Sequence, residues 1–474
     1  MEEKYFDFSL WLANNENYSK RTISNIISRL KRANNILAWQ DEPLYIYRLE
    51  QCSKFNNLSI AVKSQIRKSV KLYSKYMKSS TIKKSFSGHV KKGAVKITSL
   101  FSNIGVAEAY LNNIGFDVVV ANELIARRAS LYSKIYPRVK MVCGDITQKD
   151  VFSKIVTLSK EAKVDVLMAT PPCQGMSTAG KQKKDDERNS LICSVVKAVE
   201  EIKPNYVFIE NVPMFFNTYI LIDNKRVLIP DYISKKLSSF YHIERYIINT
   251  QNYSVPQMRE RAIMLLTKRG KRTWTLPDKD KKIITMKDAI GKLPMLDPYV
   301  TDISEEERSV LFPHFEERKK IARQISPWHK PPEHILRQVI AMQHTPTGCT
   351  AFDNLIYVPK KENGEPVKGY HNTYKRQNWD TPAYTVTMDN RKISSQNNVH
   401  PGRPEYINDK GEQIYSDSRV LTLYEIMMIM SLPPNWNIPS NTSEAFLRRI
   451  IGEGIPPLFV KKVFQKLLEV MYND

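Results

Sequence analysis

The segment that most constrains the fold of this chain is a short apolar run that ends at two prolines. Residues 166–169 have the continuous apolar character of a strand buried on both faces. Pro171 and Pro172 cannot donate hydrogen bonds to a neighbouring strand, so Cys173 must follow the strand at its carboxyl end. Ligands of open α/β sheets bind at that edge, so the thiol is predicted to face a substrate crevice. From this segment alone, a buried and inert cysteine remains an alternative.

Apolar runs and helical stretches alternate from Ala94 onward, which is typical of βαβ units. This order predicts an α/β fold with a doubly wound, mainly parallel sheet. The predicted strands are Val95–Leu100, Val118–Ala121, Val164–Ala169, Tyr206–Ile209, His242–Asn249 and Ala262–Thr267.

Composition narrows the functional class. The 474 residues, of which 42% are apolar, are enough for roughly two to four domains. Five cysteines lie far apart, and no Cys-x-x-Cys pair or His cluster is present, so neither a disulfide framework nor a metal site is predicted. The N-terminus lacks a basic, apolar leader, and no apolar run approaches the length of a membrane span. We therefore expect a cytoplasmic protein with reduced thiols and no membrane association.

The net charge of +23 is concentrated near the N-terminus. Residues 1–95 hold 18 Lys or Arg against 7 Asp or Glu (+11), while the other 379 residues hold 54 against 42 (+12). A positive field of this kind attracts polyanions, and nucleic acid is the leading candidate. An ordinary solvated surface is the alternative.

Two apolar stripes at helical spacing indicate a separate helical unit at the N-terminus, with Ser19 as a helix N-cap. A serine- and lysine-rich segment from Ser79 to Lys92 is predicted to be a linker. The basic outer faces of both helices suggest a module that contacts DNA, loosely resembling the helical core-binding domains of phage-type integrases. A plain scaffold is the alternative. The stripes are Ile23, Ile26, Ile27, Leu30, Ala33 and Leu37, and then Val62, Ile66, Val70, Tyr73 and Met77.

Polar residues follow several predicted strands. A loop at 101–107 follows the first strand, Glu123 ends the second, and Asp145 follows a third unit. An acidic residue at the end of the second strand is where nucleoside-binding folds hold ribose hydroxyls. Further along, Glu210 follows the predicted strand Tyr206–Ile209. A pair of arginines, Arg259 and Arg261, precedes the predicted strand Ala262–Thr267. A thiol, a carboxyl group and two guanidinium groups are thus expected to converge on one edge.

With these residues the chain resembles the cytosine carbon-5 DNA methyltransferases of bacterial restriction–modification systems, from Val95 to the C-terminus. The family motifs occur in family order. They are Phe101 to Gly105, Glu123, Asp145, Pro171-Pro172-Cys173-Gln174, Arg188-Asn189 with Leu191, Glu210-Asn211-Val212, Gln257-x-Arg259-x-Arg261, residues 380–387, His400-Pro401, Arg419-x-Leu421-Thr422-x-x-Glu425 and residues 452–457.

The resemblance implies a catalytic mechanism. Carbon 5 of cytosine is a poor nucleophile, so the Cys173 thiolate would first add to carbon 6. Glu210 would hydrogen-bond or protonate ring nitrogen 3, and Arg259 and Arg261 would orient the base oxygen. The resemblance also implies substrate-binding residues, which are Gln174, Lys181, Asn211 and Gln257.

The implied cofactor is S-adenosylmethionine, in the fold of the methyltransferases that use it. Glu123 would hold the ribose and Asp145 the adenine amino group, between Phe101 and Ile146. The implied cofactor-binding residues are Phe101, Ser102, Asn103, Gly105, Glu123, Asp145, Ile146 and Pro171.

The chain departs from the family pattern at four positions. Asn103 and Val106 stand where the family usually has glycine in the first motif. Leu124 replaces an aromatic residue, and Glu453 replaces the usual Asn of the last motif. We expect these residues to alter the cofactor pocket and the segment that closes on it.

We expect three domains. The helical pattern and charge predict a basic helical domain and linker at residues 1–92. The resemblance implies a catalytic domain of residues 93–295 with 440–474 and a smaller target-recognition domain of residues 296–439. The substrate is double-stranded DNA, whose target cytosine must be flipped out of the duplex, and residues 175–188 are the expected lid. We expect a monomer, and a cognate restriction endonuclease that acts on the same site without a required complex.

Two alternatives remain open. A transfer-RNA cytosine methyltransferase shares these motifs, but the Cys-Phe-Thr signature usual in such relatives is absent from the variable region. A DNA-binding regulator with secondary methyltransferase activity is the other. Intact Cys173, Glu210 and Arg261 argue against loss of catalysis.

Overall fold

A computed structural model describes residues 5–16, 18–39, 45–86, 94–172, 191–354, 357–358, 363, 365, 374–391, 393 and 397–472. The chain divides into two compact units. One comprises Met1–Lys91 with Lys319–Pro327, and the other comprises Lys92–Arg318 with Trp328–Asp474. Within the described ranges, none of the helices combines the length and hydropathy needed to cross a bilayer.

The first unit is helical, as its apolar stripes predicted. Ser19 caps the second helix by accepting a hydrogen bond from the Thr22 backbone amide at 3.3 Å. Both stripes point into one apolar core, in which Phe8, Trp11 and Tyr45 also pack. The helices are α1 (Phe6–Glu16), α2 (Lys20–Ile36), α3 (Tyr45–Glu50), α4 (Ser53–Asn56) and α5 (Ile60–Phe86).

Two features of this unit differ from the prediction. Helices α1, α3 and α4 lie outside the two stripes; α3 and α4 are too short to show a helical period. Helix α5 continues through Phe86, into the segment from Ser79 that was predicted to be a linker. Residues 79–86 contain neither proline nor glycine, so nothing there interrupts the helical hydrogen bonds.

The second unit is built on a seven-stranded sheet in the order β3-β2-β1-β4-β5-β9-β8. All pairs from β3 to β5 are parallel, and β9 runs antiparallel to both of its neighbours. The mainly parallel, doubly wound sheet is therefore confirmed. Its strands are β1 (Val95–Leu100), β2 (Phe116–Glu123), β3 (Lys140–Cys143), β4 (Val166–Ala169), β5 (Tyr206–Asn211), β8 (Tyr241–Asn249) and β9 (Glu260–Lys268).

Helices cover both faces of this sheet, which explains the continuous apolar character of its central strands. In β4, Leu167 and Ala169 pack with α7 (Lys149–Ala162), α8 (Leu191–Ile202) and α9 (Ile229–Leu237). Val166 and Met168 pack on the other face with the C-terminal helix α16 (Pro457–Tyr472). Helix α6 (Ala126–Ile135) connects β2 to β3, and a hairpin of β6 (Tyr219–Ile222) and β7 (Lys225–Leu228) follows β5.

The strand order reverses between β1 and β4, which places a crevice at their carboxyl ends. Leu100 pairs with Ala169, and Ala169 pairs with Ile209, so β1, β4 and β5 end side by side. The antiparallel strand β9 begins where β5 ends, with Asn211 opposite Ala262. The residues that follow these strands are thereby brought to one edge.

The remainder of the second unit contains short elements around a buried ionic cluster. Arg419 forms ion pairs with Asp417 at 2.8 Å and Glu425 at 2.8 Å, and all three side chains are at most 1% exposed. The elements are α10 (Met286–Ile290), β10 (Tyr299–Val300), α11 (Glu305–Leu311), α12 (Phe315–Ile325), β11 (Glu333–His334), α13 (Leu336–Gln343), β12 (Pro404–Ile407), β13 (Gln413–Tyr415), α14 (Leu423–Ile429) and α15 (Glu444–Glu453). Residues 319–325 of α12 belong to the first unit.

Candidate active site

The loop after β1 contains a glycine, Gly105, at which any side chain would displace the neighbouring Tyr136 ring. Gly105 has φ +82°, and a Cβ atom built on it would lie 2.1 Å from the Tyr136 ring. The Tyr136 hydroxyl donates to the Gly105 carbonyl at 2.6 Å and accepts from Trp436 Nε1 at 3.0 Å. The loop is therefore braced from behind by two aromatic side chains that the motifs did not indicate.

Glu123, at the end of β2, holds the same loop from the front. Its Oε2 accepts a hydrogen bond from the Asn103 backbone amide at 3.0 Å, and its Oε1 accepts from the Ile125 amide at 2.8 Å. Burial raises the pKa of the Glu123 carboxyl, against these hydrogen bonds and the charge of Arg128, which lower it. Asn103 has φ +51°, a left-handed conformation that Asn tolerates better than most residues, which explains how it replaces a glycine.

The neighbouring strand ends add an apolar wall and a second carboxylate. Leu124 is 61% exposed and Ile125 is 43% exposed, directly after Glu123. Asp145 follows β3 and is half-buried; its Oδ1 accepts from the Thr147 amide at 2.9 Å. Ile146 is buried beside it. Exposed apolar groups next to carboxylates suit a ligand that combines a flat ring with hydroxyl and amino donors.

Asn211, at the end of β5, bonds directly to the chain that leaves β4. Its Nδ2 donates to the Pro171 carbonyl at 3.1 Å, and its Oδ1 accepts from the Val212 amide at 2.9 Å. Pro171 is buried, and Cys173 lies two residues further along the chain. Cys173, Gln174 and Lys181 fall outside the described residues, so their placement stays a prediction.

Glu210 and Arg261 form an ion pair at the edge. Arg261 Nε lies 2.6 Å from Glu210 Oε1, and the side chains are 11% and 10% exposed. The pair forms because β9 starts opposite the end of β5. A nearly buried carboxyl group whose partner is a guanidinium can present its second oxygen to a ligand.

Arg259 and Gln257 lie in the interior. Arg259 is 2% exposed and donates to the carbonyls of Val386 at 2.8 Å and Gly452 at 2.9 Å. Gln257 is fully buried, and its Oε1 accepts from the Val386 amide at 3.1 Å. Both side chains connect the start of β9 to the segment around Val386, so the structure does not bring them to Glu210.

Two of the residues that depart from the expected motifs, Asn103 and Glu453, contact each other. Glu453, at the end of α15, forms an ion pair with Arg128 of α6 at 2.8 Å, and Asn103 Nδ2 lies 3.5 Å from its Oε2. A Cβ atom on Gly454 would lie 2.8 Å from Val106. Arg128 could not be found from the sequence, because no motif contains it and its partner lies 325 residues away.

A buried acid behind the loop was also missed. Glu108 accepts a hydrogen bond from Ser99 Oγ at 2.7 Å, and Ser102 Oγ donates to the Ser99 carbonyl at 2.9 Å. Burial raises the pKa of the Glu108 carboxyl to about 7. Elsewhere among the described side chains, no group of three or more His, Cys, Asp or Glu residues could hold a metal ion.

The comparisons with known proteins agree with this geometry. The model of the C-5 cytosine-specific DNA methylases matches residues 95–469. The type II methyltransferase M1.HgaI of Avibacterium volantium is 43% identical over 374 residues, which are 78% of this chain and 97% of the relative. M.XorII of Xanthomonas oryzae pv. oryzae is 23% identical over 390 residues, covering 78% of this chain and 84% of the relative.

Among solved structures, a DNA modification methyltransferase encoded within an E. coli prophage superposes with a TM-score of 0.56 at 18% identity, covering 80% of this chain and 99% of that one. At that identity the likeness concerns the fold, and it confirms the methyltransferase sheet. The family model and the 43% identical relative confirm the resemblance found in the motifs. The chain belongs to the C-5 cytosine-specific DNA methylases and is a DNA cytosine-5 methyltransferase of the type II restriction–modification class.

Proposed function

We propose that the edge formed by β1, β4, β5 and β9 carries out methylation through a covalent adduct between Cys173 and carbon 6 of a flipped-out cytosine. The observation that carries this proposal is the Glu210–Arg261 ion pair beside the Asn211–Pro171 hydrogen bond. It supports an arrangement in which a carboxyl group and the chain leading to the thiol meet the same base.

Glu210 is proposed to contact ring nitrogen 3 of the cytosine. As the thiolate adds to carbon 6, electron density moves onto the ring, and a hydrogen bond or proton at nitrogen 3 stabilises it. Arg261 orients Glu210 and contacts the base oxygen. After methylation, loss of the carbon-5 proton and expulsion of the thiolate restore Cys173.

We propose different roles for two residues that the resemblance placed in the active site. Arg259 donates hydrogen bonds to the Val386 and Gly452 carbonyls, and Gln257 accepts one from the Val386 amide. They therefore act as braces that hold β9 and the C-terminal motifs together. Asn211 positions the Cys173 segment through the Pro171 carbonyl.

The cofactor class follows from the family, which implies S-adenosylmethionine. When bound, this cofactor supplies an electrophilic methyl group on a sulfonium centre. The pocket fits it: Asn103 Oδ1 is buried without a hydrogen-bond partner among the described residues, and so can accept from an ammonium or hydroxyl group. We propose that Glu123 holds the ribose hydroxyls and Asp145 the adenine amino group. Phe101, Ser102, Gly105, Ile146 and Pro171 complete the pocket.

The division of labour along the chain is likewise a proposal. Residues 93–295 with 440–474 act as the catalytic domain, residues 296–439 select the DNA sequence, and Gln174 and Lys181 belong to the segment that closes on the substrate. The protein acts as a monomer on chromosomal DNA in the cytoplasm. A cognate endonuclease cleaves the same sequence when it is unmethylated, and the two enzymes need not bind each other.

The test combines substrate identity with the nucleophile. Purified protein is incubated with methyl-labelled S-adenosylmethionine and either plasmid DNA or transfer RNA, and the label is located. Label on carbon 5 of DNA cytosine is expected, and Cys173→Ser should abolish it while DNA binding persists, because a hydroxyl is a far weaker nucleophile. DNA containing 5-fluorocytosine should trap an adduct at Cys173. Label in transfer RNA alone, or an adduct at Cys143 or Cys193, would overturn the proposal.

A further inference from the structure

The first unit contains two long helices without a single acidic residue. Helix α2 carries five Lys or Arg in 17 residues, and α5 carries eight in 27. The two helices pack against each other through their apolar stripes, so their basic residues must face outward or along the rims. These basic side chains do not contribute to the apolar core, so they contact either solvent or a binding partner.

On α2, four exposed residues form a stripe opposite the buried isoleucines. They follow at intervals of four, three and four positions, which aligns them on one face over about 16 Å of helix. All four side chains can donate hydrogen bonds. They are Arg21, Asn25, Ser28 and Arg32.

Helix α5 repeats the same spacing with Ser64, Lys68, Lys71 and Lys75, all exposed. Two acids of the unit form ion pairs with α5. Glu16 pairs with Lys75 of the stripe at 2.6 Å, and Glu50 pairs with Arg67, which lies outside the stripe, at 2.6 Å.

Four cations of the two stripes remain. Arg21, Arg32, Lys68 and Lys71 form no ion pair with any carboxylate that the structure describes.

Helices α2 and α5 lie outside the region of the chain that matches the methylase family. The family model begins at residue 95, and M1.HgaI is aligned over 97% of its length while spanning only 78% of this chain. The region that the family model matches therefore does not include these helices. Their exposed side chains can donate hydrogen bonds to phosphate oxygens, and the enzyme acts on DNA. An added affinity for the DNA backbone is therefore the function that fits them.

Building on the DNA substrate of the proposed function, we propose that the exposed stripes of α2 and α5 bind the phosphate backbone of duplex DNA independently of base sequence. Each phosphate neutralised by Lys or Arg releases counterions, so the contacts strengthen binding to every duplex and make it salt-dependent. Sequence choice stays with the methyltransferase unit. The added contacts keep the enzyme on DNA while it searches for its site.

The test uses the full chain with four substitutions, R21Q/R32Q/K68Q/K71Q. A control with the same charge loss, K154Q/K160Q/K235Q/K236Q, changes exposed lysines on α7 and α9 of the other unit. Fluorescence anisotropy with two unrelated 40-base-pair duplexes is recorded from 50 to 300 mM salt. At 300 mM salt the stripe variant should bind both duplexes about tenfold more weakly than the parent, and this deficit should grow as the salt concentration is lowered, because its slope of log affinity against log salt should fall by about 3 to 4 for four phosphates.

The control should lose less than one unit of slope, and bisulfite sequencing of a plasmid should find the same methylated site for all proteins. Equal salt slopes for the stripe variant and the control would overturn the proposal. It would also be overturned if the stripe variant bound duplex DNA as tightly as the parent but no longer bound single-stranded RNA. The half variants R21Q/R32Q and K68Q/K71Q, with melting curves, give the same comparison if the fourfold variant misfolds. Failure of the parent chain to methylate DNA would refute the proposed function while leaving the slope comparison readable.

Discussion

At the scale of single residues, the hydrogen bond from Asn211 to the Pro171 carbonyl links two strand ends of the site. Asn211→Ala removes that donor and leaves a buried carbonyl without it, at a cost of about 1–3 kcal/mol. If this energy is lost from the transition state of methyl transfer, the methylation rate should fall about 5- to 150-fold. Single-turnover kinetics with labelled cofactor measure the rate, and calorimetry should find cofactor affinity unchanged.

A matched control, Asn205, lies directly before β5, at the opposite end of that strand from Asn211. Asn205 Nδ2 donates to Asp165 Oδ1 at 3.2 Å, so Asn205→Ala also removes one side-chain hydrogen bond from the same type of residue. Its rate should stay within about twofold of the parent, since an exposed or half-buried hydrogen bond is worth less. Equal losses in both variants would show that Asn211 acts through general stability.

At the scale of elements, α15 is joined to α6 by the Glu453–Arg128 ion pair and to the loop after β1 by the contact of Glu453 with Asn103. Both side chains are less than one fifth exposed, so Glu453→Gln leaves a poorly solvated guanidinium beside the cofactor loop. We expect cofactor affinity, measured by calorimetry, to fall about 5- to 30-fold, and Arg128→Gln to have a similar effect. The double variant should lose no more than either single one, because they break the same interaction.

Glu444→Gln is the control on the same helix. Glu444 pairs with Arg448 at 2.9 Å and is 34% exposed, at the opposite end of α15 from Glu453. Its loss should leave cofactor affinity unchanged. Additive losses in the Glu453 and Arg128 variants would contradict a shared interaction.

At the scale of the whole molecule, three buried histidines make stability depend on pH. Burial lowers the pKa of His329, His334 and His400 to about 4 each. The unfolded chain binds protons at these positions from about pH 6.5 downward, while the folded protein does not, so stability falls as pH drops from about 6.5 to about 4. Asp417 and Glu425, whose pKa values are lowered, add a further loss only below their unfolded values.

Urea unfolding at several pH values between 7.5 and 4.5 measures this effect. His334→Gln should reduce the pH slope by about one proton, since glutamine can still accept the Val420 amide hydrogen bond that His334 Nε2 accepts at 3.2 Å. Exposed His314→Gln should leave the slope unchanged. A parent protein equally stable at pH 7 and pH 4.5 would show that these histidines are protonated in the folded state.

The sequence by itself determined the sheet and the order of the motifs, because strand character and strand ends are local properties. Apolar runs located six strands, and Pro171 and Pro172 marked the end of β4 where the structure has it. The four-residue strand β3 and the end of α5 were not predicted, since the first is too short for a clear pattern and the second carries no breaking residue. The direction of β9 depends on pairing with β5, which no local pattern encodes.

Only the tertiary structure decided which motif residues face the site. Arg259 and Arg261 are two positions apart and chemically identical, yet one binds carbonyls in the interior and the other pairs with Glu210. The difference arises because Val386 and Gly452, far along the chain, lie within hydrogen-bonding distance of Arg259. The contact between Asn103 and Glu453 has the same origin, since it joins residues 350 positions apart that meet only when α15 packs against the first loop.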